Sequence, residues 1–119
     1  MTEQPIFKLM RQEEWQQTAA CTHFSGSADD KRDGFIHFSA GDQVVATAEK
    51  YFGDCETLHV LTIDTGKLPA DALKWEASRG GALFPHLYAP MPLSAVARHD
   101  IVKRKDGGWR QLYEIEGIV

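Results

Sequence analysis

"DGFIHFSAGDQV" (residues 33–44) sets a histidine and a serine into an apolar run and then turns at once into a helix-start signal. Side chains of a strand alternate between faces, so Phe35, His37 and Ser39 share one face while Ile36 and Phe38 share the other. The Ile36 and Phe38 face belongs against a core. The opposite face carries one aromatic ring beside two polar tips, which suits a pocket wall better than open solvent. Ser39 followed by Asp42 has capping-box spacing, with aspartate in place of glutamate, so a helix is expected to start there. Val44, Val45, Ala48, Tyr51 and Phe52 then fall at helical spacing, and Gly53 suits the position past the helix end. A helix start offers unpaired N–H groups and partial positive charge. With His37, Ser39 and Gln43 beside it, it is a candidate seat for phosphate or carboxylate. A structural reading stays open beside this one, in which Ser39 only caps and His37 makes one hydrogen bond.

Outward from this stretch, "PIFKLM" (5–10) reads as a strand and "RQEEWQQTAAC" (11–21) as a helix anchored by Trp15. Residues 22–33 read as a polar loop. "TLHVLTID" (57–64), nearly continuous in β-formers, reads as a central strand covered on both faces, and "LKWEAS" (73–78) as a short strand. Glycines and prolines make 79–93 an irregular segment. "SAVARHDIVKRK" and "GWRQLYEIE" read as two strands of a hairpin around "KDGG" (105–108). The order implies a single α+β domain over residues 1–119, with a mixed or antiparallel sheet and two main helices.

A chain of 119 residues carrying a net charge of −4 can bury its own core, and it lacks the basic excess of a broad nucleic-acid surface. No apolar run reaches the ~18 residues of a spanning helix. The start lacks a secretory layout, so the two cysteines are expected as reduced thiols in a cytoplasmic protein. The oligomeric state is left open.

Two further stretches carry candidate chemistry. In "FPHLYAP" (84–90), Pro85 and Pro90 pin the backbone that presents His86 and Tyr88. "WEASRGG" (75–81) sets Glu76 beside Trp75, with Arg79 three residues on. The plain alternatives are a loop plugging the sheet end and a solvated edge. His59 and His99 read as ordinary strand residues. No metal is expected, since the histidines and cysteines show no C-x-x-C, H-E-x-x-H or H-x-H spacing. Serine-hydrolase, P-loop and dinucleotide fingerprints are missing too.

The succession "DGFIHFS..DQV..TA..YF", "LHVLTID...LP...LKWE", "FPHLYAP" and "AV" resembles a bacterial family catalogued as domain of unknown function 952, over about residues 5–100. Its members are sometimes labelled glutathione S-transferase-related. That label is set aside, because such an enzyme needs a thioredoxin-like domain plus a helical domain. The family is distantly similar to the ADP-ribosyltransferase superfamily, a split-sheet α+β fold that grips NAD or an ADP-ribose-like product. This resemblance implies a cleft over His37 and Ser39 with Glu76 at a third position; together with His86 of the "FPHLYAP" stretch, the catalytic candidates are His37, Glu76 and His86. Ser39, Gln43, Tyr88 and Arg79 are the ligand-binding candidates, and NAD is the implied cofactor. Lys8 stands where a first-strand histidine is common, which is a departure. Two classes of function follow: an enzyme acting on NAD or a phosphorylated nucleotide, and a non-catalytic module binding a small molecule or a protein.

Overall fold

The alternation read from residues 33–44 holds over residues 35–38, with Ile36 and Phe38 buried and Phe35 and His37 half-buried, but Ser39 is buried as well and the stretch is not one strand. In the computed structural model, which describes residues 4–119, it starts in one sheet and ends in another. The larger sheet has four strands in the order β4 (Ser39–Ala40), β1 (Ile6–Met10), β5 (Thr57–Ile63), β9 (Val96–Lys103). The second has three, in the order β3 (Ile36–His37), β7 (Leu83–Leu87), β6 (Leu73–Ala77). A ribbon pairs β2 (His23–Phe24) with β8 (Met91–Pro92). Each of these pairings is antiparallel, so the mixed alternative falls away.

Proline explains the change of sheet. The Phe38 N–H donates to the Pro85 carbonyl at 3.0 Å. An antiparallel pair would return a second bond, and Pro85 has no N–H to give. The β3–β7 ladder stops there and the chain crosses to β1, where Ser39 pairs with Phe7. Residues 83–87 therefore form a central strand rather than the irregular loop expected from their composition.

The four-stranded sheet is covered on both faces. Phe7, Leu9, Leu58 and Val60 pack against Val44, Val45 and Ala48 of a helix and against the C-terminal segment. Ile6, Met10, Leu61 and Ile63 pack against Phe24, Ile36, Phe38, Leu87 and Met91. The central strand expected at 57–64 is β5, inside the sheet and buried on both faces.

The two expected helices are α1 (Gln12–Thr18) and, after the polar segment, a helix at Val44–Tyr51. Between them lies a third, α2 (Ala28–Asp33), where a loop was expected, so the later helix is α3. A capping box of the same S-x-x-D form starts α2: Ser27 Oγ accepts the Asp30 N–H, and the Asp30 carboxylate accepts the Ser27 N–H. Gly34, at φ 88°, closes it in the left-handed conformation that glycine adopts without strain. Ser39 does not cap α3; β1 claims it, and Gln43 occupies the N-cap.

The second arm of the expected C-terminal hairpin is also corrected. Asp106 and Gly107 turn the chain, and Lys105 bridges Gly108, but Arg110–Glu114 then forms a 3-10 helix. Trp109, Leu112, Ile115 and Ile118 recur every third residue and are all buried against α3 and the sheet. Gly41 lets this segment close, because a Cβ there would overlap the Gly117 carbonyl oxygen. Gly41→Ala is expected to destabilise the fold by about 2 kcal/mol or more, since backbone rather than a flexible side chain must move. Urea unfolding measures the loss, and raised amide exchange at residues 112–118 locates it.

Candidate functional site

Alternation along β1 puts Lys8 on the same buried face as Ile6 and Met10, and a buried ammonium needs a partner. Lys8 Nζ donates to Asp30 Oδ2 at 3.0 Å and to the His37 carbonyl at 2.9 Å. Asp30 is equally buried and also accepts the N–H groups of Ser27 (2.8 Å) and His37 (3.1 Å). Its Oδ1 lies 2.6 Å from His37 Nδ1. Burial pushes the Asp30 carboxyl up. The His37 hydrogen bond, the Lys8 charge and the Ser27 N–H together outweigh it and hold the group well below the usual carboxylate range. One carboxylate thus ties β1, α2 and β3 together and fixes the His37 ring. The other ring nitrogen, Nε2, lies 3.0 Å from Asp33 Oδ2. Asp33 is itself held low, chiefly by its hydrogen bond from Arg32.

His86 is the direct cross-strand neighbour of His37, and their ring centroids are 5.5 Å apart. Its Nδ1 lies 2.9 Å from Glu76 Oε1, which also accepts the Tyr88 hydroxyl at 2.7 Å. Those hydrogen bonds, Tyr88's first, draw the Glu76 carboxyl down, and the same contact pushes the Tyr88 phenol up. Phe35 stacks on His86 at 4.0 Å between centroids. His86 Nε2 has no hydrogen bond among the described residues.

Both histidines line a cavity of about 530 Å³, a size that accepts a small-molecule ligand. It runs along the part of β1 that β4 leaves uncovered, and Lys8, Ser39, Phe84 and Arg11 share its lining. Glu76 and Tyr88 are not in the lining; they stand behind His86. Gln43 is occupied in holding the fold. Its side chain accepts the Ala40 N–H and donates to the Leu83 carbonyl at 2.8 Å, joining the two sheets. Arg79 opens a 3-10 turn, and its side chain lies outside the described residues. The start of α3 does not line this cavity. Val44 and Val45 are buried in the core, and α3 meets the cavity through Thr47 and Tyr51 instead.

From sequence alone Asp30 and Asp33 lie in a stretch that reads as a polar loop, and nothing there points to a site. The available signal was one for a helix, Ser27-x-x-Asp30 closed by Gly34, the same pattern that was credited at Ser39. Among the described residues there is no group of three or more side chains suited to a metal, and no helix is long and apolar enough to cross a membrane. Cys21 and Cys55 are free thiols.

The family model described as "Protein of unknown function (DUF952)" matches residues 9–99. The crystal structure of protein CC0527 from Caulobacter crescentus is 44% identical, with 92% of this chain and 96% of that chain covered and a TM-score of 0.85. The solution NMR structure of CC0527 is also 44% identical over 92% of this chain and 94% of that one, with a TM-score of 0.79. The comparison with curated proteins returns no match. On the matched span and the shared fold, this chain belongs to the DUF952 family.

Proposed function

We propose that the cavity is the site of an ADP-ribosyltransferase-like enzyme that takes NAD or another phosphorylated nucleotide, with His86 as its general base or acid. The observation that carries this is the Glu76–His86 pair. A carboxylate holds Nδ1, while Nε2 is left unengaged on a residue that lines the cavity. That is how an imidazole is oriented for proton transfer. His37, fixed between Asp30 and Asp33, supplies a second polar group beside it. Arg11 in the cavity lining is a guanidinium that a phosphate could claim from its exposed partner Asp54.

Binding without turnover is the second reading, and Lys8 favours it. The position at which the superfamily resemblance implies a histidine is held by an ammonium already spent on Asp30. Titrating NAD and ADP-ribose into isotope-labelled protein tests both readings. Amides of residues 36–39 and of Phe84, His86 and Leu87 should shift, and His86→Ala should weaken binding at least about tenfold while keeping the fold. Release of nicotinamide from NAD would establish the enzyme; binding alone would leave the module. No shift at millimolar ligand would remove the nucleotide.

A further inference from the structure

Besides His23, the histidines that lie outside the cavity are His59 and His99, and these two meet. His59 shares the inner face of β5 with Leu61 and Ile63, and the Leu61–His99 register brings His99 of β9 beside it. The rings stack with centroids 5.0 Å apart and planes at 13°, and His59 Nδ1 is 2.8 Å from His99 Nε2. Trp15 of α1 covers the pair, 4.1 Å from His99 and 6.0 Å from His59. His59 is buried, and its Nε2 has no hydrogen-bond partner among the described residues. A single N–H fits between the two facing nitrogens, so protonating both would set N–H against N–H.

The charged groups around the pair are committed elsewhere. Lys8, on the same face of β1, is paired with Asp30. On α1, Glu14 accepts the Arg11 N–H, and Glu13 is exposed. On β9, Asp100 pairs with Arg98. No carboxylate among the described residues hydrogen-bonds either ring. Yet α1 and its N-cap contribute Glu14 and Arg11 to the cavity lining.

We propose that the His59–His99 pair is an acid-sensitive latch, in which proton uptake releases Trp15, loosens α1 and takes Arg11 and Glu14 out of their places in the cavity wall. Burial holds both imidazoles below their ordinary value. The His99 charge adds to this at His59, whereas Asp100 opposes it at His99. A base held low in the closed form binds more protons once open. Opening is therefore favoured as pH falls below about 6.5, by up to about tenfold per pH unit for each imidazole. The effect on ligand rests on the function proposed above; the opening of α1 does not.

The test is amide exchange in the intact protein at about pH 7.5 and about pH 5.5, corrected for intrinsic rates. Trp15 and Ala19, whose N–H groups close the turns of α1, should lose at least about tenfold protection relative to β5. His99→Gln keeps a neutral hydrogen-bonding side chain at a half-exposed position and should reduce that pH response to the share His59 supplies alone. Unchanged protection in the wild type, or an equal loss in His99→Gln, would overturn the latch. Ring ¹⁵N titration of the wild-type protein needs no variant, and His59 and His99 titrating at or above the ordinary value would overturn it too. ADP-ribose affinity measured at both pH values separates the two ideas. An opening α1 with no ADP-ribose bound at either pH sinks the nucleotide site and keeps the latch. Binding with an α1 indifferent to pH does the reverse.

Discussion

Asp30→Asn is expected to cost the protein about 3–5 kcal/mol of stability, although the substitution is nearly isosteric. It leaves the Lys8 ammonium buried without its counter-charge, at 7% side-chain exposure. It also sets an amide group among donors, because every group around the carboxylate, from Lys8, Ser27 and His37, presents N–H. Urea unfolding measures the loss. The double variant Lys8→Met with Asp30→Asn should recover part of it, since the stranded charge is then gone; no recovery would mean that the ion pair is not the main term. The same carboxylate predicts acid sensitivity. Its folded value lies below the unfolded one, so its contribution is fully present above about pH 4 and is lost progressively as pH falls further. Asp30→Asn should flatten that part of the acid-unfolding curve. His37 would lose its orienting partner in this variant, so weakened ligand binding should accompany the stability loss.

Trp109→Ala should be comparably severe, at about 3–5 kcal/mol. The indole is 1% exposed and packs where the C-terminal segment closes over α3 and the sheet. Its N–H donates to the Phe52 carbonyl at 3.2 Å. That carbonyl also accepts the Cys55 N–H, so it is not orphaned by the change, and the cost should be mainly cavity. Trp109→Phe, which keeps most of the volume and loses only the hydrogen bond, should cost about 1–2 kcal/mol. Equal losses in the two variants would shift the weight from packing to the hydrogen bond.

Much of the site was legible because strands alternate with period two. From that alone Phe35, His37 and Ser39 were placed opposite Ile36 and Phe38, and β5 was identified as a covered central strand. The errors share a cause. Ser27-x-x-Asp30 and Ser39-x-x-Asp42 are equal as local signals. The first starts a helix because Lys8 and His37 converge on Asp30, and the second does not because β1 takes Ser39 into its ladder. Likewise the prolines and glycines of residues 79–93 suggested irregular chain. Pro85 is nonetheless compatible with a central strand, since its missing N–H falls where β3 departs. The buried residues at 109, 112, 115 and 118 did carry a readable period of three, which the hairpin reading of "KDGG" overlooked.

What the sequence by itself determined is the set of elements whose periodicity is strong, the face each presents, and the presence of polar-tipped rings at His37, His86 and Tyr88 on otherwise apolar stretches. Only the tertiary structure decided which of these rings meet, and which carboxylate serves each of them. Hydrogen bonds between Asp30 and His37, or Glu76 and His86, depend on strand register and sheet order. Those follow from summed packing over the whole core, and no local window of the chain contains them.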